Sequence, residues 1–307
     1  MSAARPLVIA TRGSPLALWQ AEEVRRRLER LGHAARLERI VTSGDRILDR
    51  TLDKIGGKGL FTKEIEIALA EGRADLAVHS LKDVPMAMPD GWTLAAVLER
   101  GDPRDALVSA SGAALEALRP NARVGTSSLR RAMLLGRLRP DLEITFLRGN
   151  IDGRLAKLDR GDFDAVVLAL AGLRRLGLES RVTEIFQTDR MLPAVGQGAI
   201  GIEIATDRTD IAQRLAPLVH VETTQCVTAE RTVGHEMRAG CSQPFAAHAW
   251  REDGWLTLRA ISGEPGCATP VQGQASARLA LTDLQGAVAL GREVARQLHA
   301  AAISSAP

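Results

Sequence analysis

The chain has 307 residues, 45% of them hydrophobic and 25% charged, with a formal net charge of +3. This is the composition of an ordinary soluble globular protein, far from disordered, fibrous or membrane-embedded classes, and its length predicts two or three domains rather than one core. Aromatic residues make up only 3%, with no tyrosine, which leaves little material for the base-stacking surfaces of a nucleic-acid binder.

The first elements alternate in a βαβ rhythm. An apolar strand Leu7–Ala10 leads to a helix from Pro15 to Leu31, a strand Ala35–Val41, a helix from Phe61 to Glu71 and a strand Leu76–Ser80. Ser14 before Pro15 is a strong helix start, a capping side chain followed by proline at the first helical position. The rhythm restarts at Val124 with a helix Leu129–Leu138 stopped by Pro140, a strand Ile144–Leu147, a helix Ile151–Leu158 and an apolar run Ala165–Leu170. Such continuous apolar strands belong to sheets covered on both faces, where ligands sit beyond the carboxyl ends of the strands. The run Ala199–Ile204 reads as a further strand returning to the first lobe. Beyond it come a helix at about Thr223–Arg238, strands near Phe245–Trp250, Trp255–Ile261 and Val271–Ala277, and a closing helix from Leu284 to Ala300. That order predicts a small α+β unit, with Glu252-Asp253-Gly254 as a hairpin turn. The expected domains are residues 1–99 with about 199–217, residues 104–193, and residues 220–307.

Positive charge gathers in the second lobe. Between residues 123 and 160 stand nine Lys/Arg against four acids, an excess larger than the net charge of the whole chain. Two strand-to-helix turns carry it: Gly125-Thr126-Ser127-Ser128-Leu129-Arg130-Arg131, then Arg148-Gly149-Asn150-Ile151-Asp152-Gly153-Arg154. A helix N-terminus already favours anions, and guanidiniums grip carboxylate or phosphate bidentately, so these turns point to a ligand bearing several anionic groups. Lys82 and Asp83 follow a strand and project from the same kind of end. Asp83 is a candidate acid–base group or cation stabiliser, although an aspartate before Val84-Pro85 can equally serve to cap backbone N–H groups.

Several motifs exclude common alternatives. Gly56-Gly57-Lys58-Gly59 lacks the spacing of a phosphate-binding P-loop and instead suits either a basic mobile lid containing Lys54, Lys58 and Phe61 or a solvated turn. Gly196-Gln197-Gly198-Ala199-Ile200-Gly201 has the spacing of a dinucleotide motif, but a strand follows it, so it offers no helix N-terminus and serves better as a hinge. Three cysteines lack a CxxC pair, and the histidines lack metal spacing, so no metal is assigned and a reducing cytoplasm is expected. Cys226 and Cys267 read as small buried hydrophobes. Cys241, on a turn bounded by Gly240 and Pro244, is a candidate nucleophile or attachment point. The N-terminus shows no signal-peptide pattern or membrane-spanning run.

Taken in order, Ile9–Ala17, Gly57–Phe61, His79–Pro85, Gly125–Arg131, Arg148–Asn150 and Leu192–Gly198 resemble the porphobilinogen deaminase family over essentially the whole chain. The resemblance implies an α/β protein of three domains, two bilobal solute-binding-protein-like α/β lobes plus a small C-terminal α+β domain, usually monomeric. It implies a transferase, hydroxymethylbilane synthase, that joins four porphobilinogen molecules head to tail with release of ammonia, in heme biosynthesis. A dipyrromethane cofactor would be attached through a thioether to the residue matching Cys241. Here the residues before it read Met237-Arg238-Ala239-Gly240, departing from the commoner Glu-Gly-Gly pattern. Asp83 matches the catalytic aspartate. Cofactor contacts would come from Lys82, Asp83, Thr126, Ser127, Ser128, Arg130, Arg131, Arg148, Gly149 and Asn150, and substrate contacts from Arg12, Ser14, Arg148, Arg154, Arg175 and Gln197. Two other classes remain compatible with the residues alone. A bilobal solute-binding protein would have no use for Asp83 or Cys241, and a nucleic-acid binder would show steeply salt-dependent affinity.

Overall fold

The computed structural model describes residues 5–42, 62–240, 243–263 and 270–304. In the first lobe, β1 (Leu7–Arg12), β2 (Ala35–Ile40), β3 (Leu76–Ser80), β4 (Trp92–Val97) and a later strand, β10 (Ile200–Ala205), form a sheet in the order β2-β1-β3-β10-β4. β1 pairs in parallel with β2 and β3, whereas β10 runs antiparallel to β3 and β4. Alternation along β1 dictates what covers each face. Leu7 and Ile9 meet Ala21, Val24 and Leu28 of helix α1 (Pro15–Arg30), while Val8 and Ala10 meet Ile65, Ala68 and Leu69 of α2 (Lys63–Ala70). α1 starts as its sequence dictates, with the Ser14 hydroxyl accepting from the Ala17 N–H at 3.3 Å and Pro15 in the first turn.

The second lobe repeats the plan. β5 (Asp105–Ser109), β6 (Arg123–Gly125), β7 (Glu143–Thr145), β8 (Ala165–Ala169) and β9 (Glu184–Ile185) form a sheet in the order β7-β6-β8-β5-β9. β6 is parallel to β7 and β8, and β5 is antiparallel to β8 and β9. Helix α3 (Leu129–Leu138) buries Met133, Leu134 and Leu135 on one side of this sheet, and α4 (Ile151–Asp159) buries Leu155 and Leu158 on the other. α5 (Leu170–Arg175) follows β8 directly. Both sheets are thus mixed, not the purely parallel arrangement a simple βαβ rhythm suggests. Each gains its antiparallel strand where the chain passes from one lobe to the other.

Those two passages run side by side. The Gly101 N–H donates to the Gly198 carbonyl at 3.1 Å. Gly198 has φ +88°, and a Cβ on it would stand 2.5 Å from the Gly101 oxygen. Only glycine satisfies both demands there, the left-handed backbone and the close approach, so the expected hinge glycines sit at the crossing between lobes.

A short helix α6 (Thr209–Leu215) precedes the C-terminal unit, where α7 (Val221–Glu236) and α8 (Leu284–Ser304) pack on the antiparallel meander of β11 (Phe245–Glu252), β12 (Trp255–Ser262) and β13 (Val271–Arg278). Asp253 and Gly254 take φ +49° and +82° at the β11–β12 turn, the two left-handed residues that a tight hairpin requires. α7 and α8 approach closely because Gly291 faces Thr232 and the Ala229 carbonyl, where a Cβ would stand 2.6 and 2.8 Å away. α7 ends two residues before the expected Arg238. Arg238 itself has φ +50°, with its N–H donating to His235 O and the Ala239 N–H to Gly234 O. This pair of bonds is a helix-terminating Schellman motif, carried by arginine where glycine is usual. No described helix is long and apolar enough to cross a membrane.

Candidate active site

The carboxyl ends of β1 and β3 open into a concavity of about 70 Å³ lined by Arg12, Ser14, Gln20, His79, Ser80 and Asp83 among others. Its walls are fixed by polar pairs. The Gln20 amide and Ser80 hydroxyl exchange hydrogen bonds at 2.9 and 3.1 Å, and His79 Nε2 lies 2.8 Å from a buried Glu203 carboxylate. After Ser80 the chain makes one 3₁₀ turn, Leu81–Asp83. Leu81 anchors it: its N–H donates to Ala199 O at 3.0 Å. Its side chain fills space that a Cβ on Gly196 or Gly201 would enter, at 2.9 Å in each case. The glycine-rich segment therefore serves the Asp83 turn as well as the hinge.

Asp83 is exposed and its carboxylate makes no hydrogen bond among the described residues. It does not cap the following turn, so the capping reading of this residue falls. Lys82, next to it, is half-buried and likewise unpaired among the described residues. Burial, with the Arg131 charge beside it, pushes the Lys82 ammonium down to about 8 against the opposing pull of Asp83 and Asp105.

The second lobe supplies the cations. Arg130 and Arg131 lie in the first turn of α3, whose cap is the Ser128 hydroxyl accepting from the Arg131 N–H at 3.4 Å. Both guanidiniums are buried and both bind Asp105, each at 2.7 Å, while Arg130 also donates to Leu192 O and Arg131 to Val167 O. Burial would raise the Asp105 carboxyl, but the two guanidiniums outweigh it and hold the group well below the usual carboxylate range. Arg130 Nε is still buried with no partner among the described residues. The expectation that these two arginines reach straight for ligand carboxylates is thus qualified, since an internal aspartate holds both. Thr126 is buried, its hydroxyl accepting from the Ser128 N–H at 3.1 Å, and Ser127 is half-buried between them.

The next turn is built differently. Gly149 has φ +122°, a conformation that favours glycine, and Asn150 caps α4 by accepting from the Gly153 N–H at 2.9 Å. Arg148 is buried. Arg154 donates from Nε to Gly149 O at 2.8 Å and has no ion-pair partner among the described residues. Burial and the nearby Arg131 push it down to about 10, with Asp83 acting in the opposite sense and Arg148 adding to the repulsion. It stays charged at neutral pH, but at a cost that an incoming anion would relieve. Asp83, Lys82, Arg131, Arg148 and Arg154 therefore share one electrostatic neighbourhood drawn from both lobes.

Arg175 and Gln197 sit at the hinge. Arg175 donates to Gly198 O at 2.6 Å and lies 5.5 Å over the Trp19 ring, joining α5 to the hinge and α1. Gln197 is fully buried, donating to Pro103 O at 2.6 Å and to Asp105 at 3.0 Å, with its Oε1 unpartnered among the described residues. In this conformation it belongs to the hinge and is shut off from the cleft. Asn150 and Ser128 act as helix caps. Cys241 and the Lys54, Lys58 and Phe61 segment lie outside the described residues, as does Cys267. Cys226 is buried, and burial pushes its thiol up to about 12, which leaves it inert.

Sequence reasoning missed Asp105, Arg100 and Glu230. Glu230, on α7, is fully buried and binds Arg100 at 2.5 Å together with the Gly196 and Ala249 N–H groups at 2.7 and 2.8 Å. Two arginines with no acid near them in sequence could have prompted a search for a distant carboxylate, but the pattern does not say which one.

Comparison with known proteins shows the family. A family model described as "Porphobilinogen deaminase, dipyromethane cofactor binding domain" matches residues 7–213, and the family's C-terminal domain model matches residues 224–300. A porphobilinogen deaminase of Albidiferax ferrireducens is 55% identical over 300 residues, covering 97% of this chain and 95% of that protein. That of Laribacter hongkongensis is 50% identical over 296 residues, covering 96% and 94%. Among solved structures, the periplasmic aliphatic sulphonate binding protein SsuA from Escherichia coli aligns at a TM-score of 0.40 and 13% identity, over 77% of this chain and 71% of that one. The fold assignment rests on sheet order rather than on that likeness. The described residues fit a dipyrromethane bearing acid side chains: Lys82 and Arg154 have no ion-pair partner among them, and the cations around them repel one another. By identity to its relatives over nearly the whole chain and by both family models, the chain belongs to the porphobilinogen deaminase family.

Proposed function

We propose that this chain is a hydroxymethylbilane synthase, a transferase of heme biosynthesis that condenses four porphobilinogen molecules head to tail and releases ammonia at each step. The observation that carries the reading is one exposed carboxylate, Asp83, among desolvated cations that lower one another's proton affinity. A pyrrole ligand with acetate and propionate arms would supply the missing anions, while Asp83 would remain an acid open to the reacting centre. Lys82, Arg130, Arg131 and Arg148 would hold the dipyrromethane carboxylates, with Cys241 as its thioether attachment. When bound, that group supplies the tethered end from which the product grows. Arg12 and Ser14, at the concavity beside Asp83, and Arg154 would take the carboxylates of the incoming porphobilinogen, with Arg175 and Gln197 acting from the hinge. Asp83 would assist proton transfer and stabilise the cation that ammonia loss leaves on the substrate.

The three units are taken as residues 1–99 with about 199–217, 104–193 and 220–307, and the working form as a cytoplasmic monomer. Incubation of the purified chain with porphobilinogen tests the reading. It should consume substrate and release one ammonia per unit consumed, and Asp83→Ala should lower turnover by about 10² to 10⁴-fold. No consumption by the unaltered chain would refute the function, and undiminished turnover in the variant would refute the role of Asp83.

A further inference from the structure

The turn that carries Asp83 is gripped from two directions. On the hinge side Leu81 is locked against Gly196, Gly201 and the Ala199 carbonyl. On the other side the chain leaving the turn runs onto α7 of the C-terminal unit. There Arg231 Nη2 donates to Pro85 O at 2.6 Å and to Met86 O at 3.0 Å. Three residues further along the same helix, and so on the same face, Gly234 lies under the Met86 side chain, where a Cβ would stand 2.8 Å from the sulfur. Met86 packs against the core of the C-terminal unit rather than that of its own lobe.

This arrangement is costly for Arg231. Burial pushes its guanidinium down to about 10, and Nη1 is shut off from solvent with no partner among the described residues. No acidic side chain pairs with it among those residues. A cation that gives up water to bind two main-chain carbonyls gains little stability, but it fixes the backbone that it holds. The helix beneath is itself anchored through Glu230 to Arg100 and to the Gly196 N–H. Its C-terminal end leads within five residues to Cys241.

We infer that Arg231 is a positioning residue for the reaction, which, with Gly234, fixes the Pro85 and Met86 carbonyls and so sets where the Asp83 carboxylate stands relative to the helix that leads to Cys241. The inference rests on the reading of Asp83 as the acid–base group. Arg231→Met keeps the length of the side chain and removes the donors. In the enzyme purified with its pyrrole adduct, that variant should lower kcat about tenfold to a hundredfold, the penalty of a roughly 1 Å misplacement, while KM stays within about twofold. Its thermal midpoint should change little, because relief of a desolvated cation offsets the loss of two hydrogen bonds to main-chain oxygens. Arg231→Lys should recover most of kcat, and amide hydrogen exchange at Met86 and Ala87 should quicken in the methionine variant alone.

Unaltered kcat in a folded, adduct-bearing Arg231→Met enzyme overturns the inference, as does an equal loss in both variants with exchange at Met86 and Ala87 unchanged. If Arg231→Met does not fold, Gly234→Ala displaces Met86 instead. It must then lower kcat with KM retained, and full activity in it overturns the inference. An unaltered chain that never consumes porphobilinogen would defeat the functional reading instead. The exchange comparison would then still report whether Arg231 holds the turn, and equal exchange would overturn that part.

Discussion

The two basic turns of the second lobe read almost alike in sequence and do different work. Each leaves a strand, caps a helix with a polar side chain and presents arginines at the cleft end of the sheet. In the first, Arg130 and Arg131 are buried and share Asp105, so most of their charge is answered inside the protein. In the second, Arg154 meets, among the described residues, a main-chain carbonyl alone and carries a desolvated charge that Asp83 acts on. Arginine count alone therefore does not measure ligand-binding capacity. What matters is whether a carboxylate from elsewhere in the chain has already been spent on the guanidinium.

The largest expected effect falls on the committed turn. Asp105→Ala strands two buried guanidiniums and should cost about 3–5 kcal/mol of stability, read from denaturant unfolding; a loss below about 1 kcal/mol would show that the pair is not the anchor described. The second turn should behave in the opposite way. Arg154→Met should leave stability unchanged or slightly raised while KM for porphobilinogen rises roughly tenfold to a hundredfold, the worth of one charge-assisted hydrogen bond. If it unfolds the protein with affinity intact, the contrast between the turns is wrong.

A smaller effect concerns Lys82, which feels the charge of Arg131 in the first turn. With its ammonium pushed down to about 8, it is charged below that pH and neutral above it in the ligand-free cleft. Bound carboxylates favour the charged form, so they raise its proton affinity. Loading of the adduct-free chain with the dipyrromethane should therefore be strongest below about pH 8 and should weaken as pH rises through it. Above about pH 8 it should draw in a proton, detectable by calorimetry in buffers of different ionisation heat. The Lys82→Met chain should bind more weakly and lose this proton uptake, and proton uptake that persists in it would assign the effect to another group.

Much of this was legible because local chemistry spoke for itself. Ser14-Pro15 announced a helix start and Asp253-Gly254 a hairpin, and each stands where its residues predict; the arginine turns fall at strand ends as expected, but Arg130 and Arg131 are held there by Asp105. What stayed hidden depends on contacts distant in sequence. β5 opens on Asp105, and nothing in its short run reveals that the aspartate will answer two arginines some 25 residues later. β4 (Trp92–Val97) was invisible for a related reason, since its identity comes from pairing with β10, which returns from the far lobe. Gln197 shows how a motif match can name a residue without locating it, for its side chain is fully buried in the hinge. Arg231 carries no local signal at all, because its partners are main-chain oxygens of another unit.

The central claim is that this charged cleft retains a pyrrole chain tethered to the protein itself. Intact-mass measurement of the chain as purified, followed by peptide mapping, tests it most directly. The account predicts a mass above that of the sequence by two linked pyrrole units, carried on the peptide containing Cys241 and absent from Cys241→Ala. A chain at its bare sequence mass, or an adduct that survives loss of Cys241, would contradict it.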